Sequence, residues 1–414
     1  WFSSWLWPIS VFNGLTKPGN DEIKYYYPTN DLVTAPEIMF FWVARMIMAG
    51  YEYQEEIPFK NVYFTGIVRD KLGRKMSKSL GNSPDPIDLI HKFGADGVRV
   101  GVLISSPAGN DLPFDTSQCE QGRNFSNKIW NAYRLISSWE VKDIEQPASS
   151  AIAVKWFEHK FQQTLFELNG LYDNYKISEA LMVSYKLVWD DFCSWFLEII
   201  KPGYQQPIDR KTFEQSILLF DNILKILHPF IPFVSEELWH QLSSKTEDLV
   251  VSKWPVVKAY DVKLLSSFNS AAEIVTNIRN IRKQQSIGAK IKLELFYSGK
   301  YSGDSDFTSL IRKMGNLSLF EATNEKIGNS NGFIVDGVQF YVPFGDAVDV
   351  EVERKKLEQE LDYSRGFLLS VQKKLGNERF VNSAPEKVVE NEKKKQSDTL
   401  LKISLLEEKL SNLS

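Results

Sequence analysis

Cysteine is scarce in this chain. Only Cys119 and Cys193 occur among 414 residues, and they lie far apart in sequence. That excludes a disulfide framework and a four-cysteine zinc site. Each is read as a small buried hydrophobe, in keeping with a reducing cytoplasm, and no protein-bound zinc is expected. Long apolar runs are missing too: nothing approaches the roughly 18 residues a membrane span requires. The opening Trp1-Phe2-Ser3-Ser4-Trp5 has no basic segment of a secretory signal, so no membrane partner is expected. It also has no initiating methionine, which suggests part of something longer. The net charge is −4, so there is no global basic field. A nucleic acid would have to meet local patches, with salt-sensitive binding. Histidine is limited to His91, His159, His228 and His240, and no two are three residues apart. What is plentiful is core material: 43% of residues are hydrophobic and 13% aromatic, and the length suggests two to four domains.

The chain changes character along its length. Leu32 to Ala49 is apolar, aromatic and of helical length. Asn61 to Arg69 carries apolar residues at 62, 64 and 67–68 between Pro58 and Asp70-Lys71-Leu72-Gly73, and reads as a strand feeding a turn. Asp85-Pro86 sets an N-cap before proline at the first helical position, Gly94 stops that helix, and Ala95 to Ser105 reads as another. Together these form an α/β unit over 1–119. From 120 to 264 the pattern is helical, with periodicity in 125–138, 153–172, 178–200, 212–227 and 235–242 and prolines in the gaps: a helix bundle. Residues 265–345 combine one helix, 266–283, with short alternating runs at 291–297, 332–335 and 338–342, and read as a small α+β module. In 346–414 a stripe of Leu357, Leu361, Leu368, Val371 and Leu375, with Ser364 in its gap, is followed by Ile403, Leu406, Leu410 and Leu413. Two amphipathic helices would form an antiparallel coiled-coil hairpin; one long helix dimerising between chains is the alternative. Breaks at Gly376-Asn377 and Ser383-Ala384-Pro385 favour the hairpin, and a monomer is expected.

The residues that carry chemistry are Arg74-Lys75-Met76-Ser77-Lys78-Ser79, bracketed by Gly73 and Gly81. Two lysines interleaved with two serines make a cationic, donor-rich loop suited to a polyphosphate whose charge is being rearranged. An arbitrary loop of this composition would be a solvated basic turn. Its setting, after a strand and before a helix, is where α/β sheets put ligands.

Lys-Met-Ser-Lys-Ser at 75–79 resembles the second signature of class I aminoacyl-tRNA synthetases. The resemblance continues in Trp1-Phe2-Ser3-Ser4 with Leu6-Trp7-Pro8, in Phe40-Phe41-Trp42-Val43-Ala44-Arg45-Met46, and in Gly94-Ala95-Asp96. It continues again in Arg123-Asn124-Phe125 with Asn127-Lys128-Ile129-Trp130-Asn131, and in His228-Pro229-Phe230-Ile231-Pro232-Phe233. It covers essentially the whole chain and fits the valyl type best. The resemblance implies ATP-dependent activation of valine and its transfer to tRNA(Val), with Mg2+ carried by ATP. Lys75 and Lys78, with Ser77 and Ser79, would stabilise the leaving pyrophosphate; Lys78, Met76 and Glu37 would contact ATP. The family's Gly-x-Asp, whose acid holds the ribose, reads Ala35-Pro36-Glu37 here, and Glu37 has one extra methylene. A plain first-turn helix acid is the other reading of Glu37. Trp1, Ile38 and Trp42 match positions that wall the amino-acid pocket. A small apolar pocket rejects larger side chains but not threonine, which is why this family edits; plain core packing is the alternative for these three.

The resemblance also makes the helix bundle the anticodon-binding domain and the terminal helices a tRNA-gripping arm. Candidate RNA contacts are Arg123, Lys128 and Trp130 (the last equally a core residue), Arg279 and Arg282, and Arg354, Arg365, Arg379 and Lys393 in the arm. The family's first signature, His-x-Gly-His, has no counterpart among the four histidines, and no editing domain fits the residues present. The expectation is therefore a C-terminal part of such an enzyme, inactive alone. The rivals are an isoleucyl- or leucyl-type enzyme, disfavoured by the scarcity of cysteine, and a non-catalytic tRNA-binding protein, disfavoured by the intact lysine loop.

Overall fold

The computed structural model describes the chain apart from residues 1, 106–110, 243–245, 300–304, 326, 329, 344–349, 378–385 and 413–414. It also leaves undescribed the side chains of 2, 305, 350–356, 386–387, 408–409 and 411–412. Two compact units result: one comprises 1–146 and 157–260, the other 147–156 and 261–414. No described helix is long and apolar enough to cross a membrane.

In the first unit, strands Thr29–Thr34 and Phe59–Phe64 pair in parallel, with Thr29 opposite Phe59 and Thr34 opposite Phe64. The helix expected from Leu32 therefore begins later. Ala35 is extended because it precedes Pro36, and a residue before proline is pushed out of the helical region. A 3-10 turn Pro36–Ile38 and a π-helical turn Met39–Val43 then lead into an α-helix, Ala44–Gln54. The single strand expected over 61–69 is likewise two, Phe59–Phe64 and Val68–Arg69, the second pairing in parallel with Leu112–Pro113. Parallel strands ordinarily lie buried on both faces. Here the two-stranded sheet and the adjoining helix expose Val33, Phe40, Phe41, Met48 and Tyr51.

Helices Pro86–Phe93 and Ala95–Ile104 follow the lysine loop. Asp85 caps the first as expected, accepting from the Ile87 amide, and Gly94 ends it at φ +77°. Ala95–Ile104 then lies against Thr116–Ser137 along a glycine seam. A Cβ on Gly122 would fall 2.4 Å from the Gly97 carbonyl oxygen, and one on Gly101 would fall 2.6 Å from the Cys119 nitrogen. Both neighbours are backbone, which cannot give way.

The helical part of this unit contains Ile177–Lys186, which continues through a π-helical stretch, Leu187–Phe196, into Leu197–Ile200. Arg210–Leu227 and Pro232–Leu242 complete it. Rings of Phe157, Phe192, Phe196 and Phe220 stack in its core. Asp96 reaches out of Ala95–Ile104 to accept from the Phe233 and Val234 amides, at 3.3 and 2.7 Å. It so caps a helix far along the chain. Arg99 donates to the Pro229 and Phe230 carbonyls beside it.

In the second unit, Val262–Gln284 buries Leu264, Phe268, Ile274, Val275 and Ile278, with Trp156 stacked on Phe268. A four-stranded sheet runs in the order 317–322, 293–298, 338–343, 330–335. The strand Leu317–Ala322 and the helix Thr308–Gly315 were not foreseen. Their runs are short and their polar residues blur the alternation. Helices Val350–Leu375 and Glu386–Asn412 pack together through Leu357, Leu361 and Leu406, with Ile403 and Leu410 alongside. The predicted gap residue Ser364 is buried in line with them.

Two outcomes follow. Gly101→Ala should lower stability by about 1–3 kcal/mol in urea unfolding, because the contact is backbone; Gly73→Ala, at a position open to solvent with φ +75°, should cost less. Asp191 is largely buried, 3.8 Å from Lys160, and burial pushes its carboxyl up to about 6 against the lysine's opposing pull. A raised native pKa means the group favours the fold below the unfolded value and loses that contribution as pH rises through about 6. Asp191→Asn should therefore raise the melting temperature at pH 7.5 and flatten the dependence on pH between about 4 and 6. An unchanged slope in calorimetry would contradict this.

Candidate active-site loop

The lysine loop is a hairpin rather than a slack tether. Val68–Arg69 runs into a turn in which the Gly73 amide donates to the Asp70 carbonyl at 2.9 Å. The chain then returns, with the Met76 amide donating to the Val68 carbonyl at 3.0 Å. Ser77 next accepts from the Leu80 amide and starts a 3-10 turn, Lys78–Leu80, which Gly81 ends at φ +62°. Gly73 and Gly81 thus serve as left-handed turn residues, a conformation glycine adopts without a Cβ penalty.

The hairpin is pinned from three directions. Arg69 pairs with Asp111 at 2.5 Å and donates to the Gly73 carbonyl, while Lys71 pairs with Asp115 at 3.2 Å. The Met76 side chain packs against the buried cluster of Phe93, Phe114 and Cys119. Asp70 accepts from the Leu72 and Arg74 amides on one oxygen and from the Arg74 Nε and Asn82 Nδ2 on the other. Those bonds, the one from Asn82 first, hold its carboxyl well below the usual range against the opposing effect of burial. A shallow cleft of about 380 Å³ is lined by Asp70, Met76, Asn82, Phe114 and Thr116, among others.

A lysine predicted to stabilise pyrophosphate meets the acid predicted to contact ATP. Lys75 Nζ lies 2.7 Å from Glu37 Oε2, with both side chains about half exposed. Ser77 and Ser79 share a hydroxyl contact of 3.1 Å, and Lys78 and Ser79 face solvent. A cationic edge, hydroxyl donors and a carboxylate therefore lie together, an arrangement able to receive a polyphosphate at one end and a sugar hydroxyl at the other.

The predicted amino-acid pocket is only partly described, because Trp1 lies outside the described residues. Ile38 and Trp42 are four apart, but across a 3-10 and a π turn rather than a regular α-helix. Ile38 is half-buried and Trp42 is 39% exposed, so among the described residues no closed pocket surrounds this pair.

The predicted RNA contacts divide. Arg123 is bound to Glu120 at 3.1 Å and lies over the Phe93 ring. Lys128 sits over the Trp189 ring, and Trp130 is half-buried. Arg279 is exposed. Arg282 instead donates to the Gly288, Ile291, Gly315 and Asn316 carbonyls, which ties its helix to the segments that lead into strands 293–298 and 317–322 and commits its guanidinium. Arg365 bridges the terminal helix pair to Glu407 at 2.6 Å, and Lys393 is exposed. The Arg354 side chain and all of Arg379 lie outside the described residues. Asp70, Asn82 and Asp96 were not singled out from sequence for these roles. The signal for the first two was present, since Asp and Asn beside glycine turns commonly bind nearby backbone. The cap made by Asp96 spans 137 and 138 positions and left none.

One further group could hold a metal: Glu236, His240 and Asp248 bring one ligand atom each within 4.8 Å of one another. His240 Nε2 already pairs with both carboxylates, and Glu236 Oε1 accepts the Leu249 amide. The group thus closes a loop onto its helix.

Residues 1–115 match the family of class I tRNA synthetases (I, L, M and V), 154–297 the anticodon-binding domain of tRNA ligase, and 349–414 the valyl tRNA synthetase tRNA binding arm. The chain is 54% identical to the valine--tRNA ligase of Christiangramia forsetii over 417 residues, which cover all of this chain and 48% of that protein. It is 55% identical to that of Parabacteroides distasonis and 35% identical to that of Thermotoga maritima, with all of this chain and 48% of each relative covered. The chain thus spans about half the length of the curated relatives it matches. With a hairpin bearing the lysine-serine signature, family matches in order at 1–115, 154–297 and 349–414, and relatives aligned over its whole length, this chain belongs to the valyl-tRNA synthetases of class I.

Proposed function

We propose that the whole protein activates valine with ATP and transfers it to tRNA(Val), and that this chain supplies the pyrophosphate-stabilising loop, part of the valine pocket and the RNA-binding parts. The observation that carries the reading is the lysine hairpin held beside Glu37. In activation, the valine carboxylate attacks the α-phosphate, a P–O bond breaks, and negative charge builds on the departing pyrophosphate with its Mg2+. Donors help most where charge develops. Lys75 and Lys78, with Ser77 and Ser79, stand in that role; Lys78, Met76 and Glu37 contact ATP; Trp1, Ile38 and Trp42 wall the amino acid. The Lys75–Glu37 pair is solvent-exposed, so it is worth about 0–1 kcal/mol and yields readily to a nucleotide.

The domain reading that accompanies this is a catalytic α/β part at 1–119, an anticodon-binding bundle at 120–264, an α+β module at 265–345 and a coiled-coil arm at 346–414. The packing of the terminal helices through Leu357, Leu361 and Leu406 supports the hairpin form of the arm. The protein acts as a cytoplasmic monomer on this reading. RNA contacts are assigned to Arg123, Lys128 and Trp130 in the bundle, to Arg279 in the module, and to Arg354, Arg365, Arg379 and Lys393 in the arm. Arg282, committed to four carbonyls, holds the surface that Arg279 presents.

In the full-length enzyme, Lys78→Ala should lower valine-dependent exchange of pyrophosphate into ATP by about 100-fold or more. Glu37→Gln should raise the KM for ATP with a smaller change in kcat, and shift the unfolding free energy of the chain by less than about 1 kcal/mol. Wild-type KM for ATP in Glu37→Gln would remove the ribose assignment. For the arm, removal of 350–414 should weaken tRNA(Val) binding by about tenfold and flatten the plot of log affinity against log salt. Equal salt slopes in anisotropy titrations would sink the arm assignment.

A further inference from the structure

The order in the lysine hairpin does not come from its lysines. Asn82 lies beyond the 3-10 turn, yet it touches three points upstream. Its Oδ1 accepts the Ser77 amide at 3.0 Å, and its Nδ2 donates to Asp70 Oδ2 at 2.9 Å and to the Lys75 carbonyl at 3.3 Å. The partners fix which way the amide faces, since a backbone N–H can only donate and a carboxylate can only accept. Asp70 carries the other half, binding the Leu72 and Arg74 amides and the Arg74 guanidinium. The bonds to Ser77 and Lys75 bracket Met76, whose side chain is sunk in the core beside Phe93 and Phe114.

We propose that Asn82, working against Asp70, is a positioning residue that sets where Lys75 and Lys78 are presented to pyrophosphate. The proposal rests on the pyrophosphate reading of those lysines. An amide is required at 82. Alanine has neither donor nor acceptor. Aspartate keeps the acceptor for Ser77 but sets a second carboxylate where the Asn82 amide now lies 2.9 Å from Asp70. Two carboxylates that close share a proton, and the pair closes only when one is protonated. The other charged group on Asp70 is Arg74; Lys71 and Arg69 are taken by Asp115 and Asp111.

The test compares the chain with its Asn82→Ala and Asn82→Asp variants in two measurements. The first is the hydrogen-exchange protection factor of the segment containing the Ser77 amide, at pH 5 and pH 8. The second is affinity for inorganic pyrophosphate with Mg2+, with Lys78→Ala as reference. Asn82→Ala should lose at least tenfold in protection at both pH values and at least fivefold in pyrophosphate affinity. Asn82→Asp should lose protection at pH 8 and regain most of it at pH 5. Retained protection in Asn82→Ala overturns the clamp, as does equal behaviour of the two variants at pH 5. Lost protection with undiminished pyrophosphate affinity overturns the positioning role and leaves a turn that is structural only. If the wild-type chain binds no pyrophosphate while the exchange pattern holds, the pyrophosphate reading falls and the clamp stands.

Discussion

The first unit depends on the seam where Gly97, Gly101 and Gly122 let two helices touch through their backbones. That contact brings Cys119 into the same buried cluster as Phe93 and Phe114, and this cluster is the floor on which Met76 anchors the lysine hairpin. From the outer side of the same helix, Asp96 and Arg99 reach the 229–234 segment and fix the start of the Pro232–Leu242 helix. One close-packed pair therefore ties the lysine hairpin to the helical bundle. A methyl group in the seam would separate both at once, because the neighbouring atoms are main-chain.

Within the hairpin, order and exposed charge are carried by different residues. Asp70 and Asn82 are held by several hydrogen bonds each, while Lys75 makes one exposed ion pair and Lys78 faces solvent. An exposed pair is worth little against water. The hydrogen bonds that shape the turn and the cations it carries thus belong to different side chains. Pairing Lys75 with Glu37 keeps two groups of opposite sign 2.7 Å apart at the surface.

The sequence announced local things well and distant things badly. The Asp85 cap and the stop at Gly94 were legible because each is written within a few consecutive residues, and so was the apolar stripe of each terminal helix, which repeats every three or four positions. The helix reading from Leu32 went wrong where apolar content outweighed a single local fact, the proline at 36 that holds Ala35 extended. Arg282 looked like part of a basic cluster, yet its partners are carbonyls up to 34 positions away. The contact of Asp96 with Phe233 and Val234 joins two segments that were each noticed but not linked. Composition has no term for such pairings; they exist only once the helices are packed.

The same limit governs how charge in the terminal helices should be read. Counting lysines and arginines there suggests a cationic surface, but many of the described ones are engaged. Arg365 pairs with Glu407, Lys402 with Glu360, and Lys374 and Lys395 with Glu392. Glu392 is itself buried, its carboxyl held below the usual range chiefly by Lys395. These pairs work across and along the two helices, adding register to an apolar seam of Leu357, Leu361 and Leu406. A polyanion would meet what remains, such as exposed Lys393, and would have to compete for the rest. Exposed pairs are weak enough for phosphates to take over one partner, but each exchange releases a carboxylate toward the incoming charge. The count of cations in these helices therefore overstates the positive charge they leave unpaired.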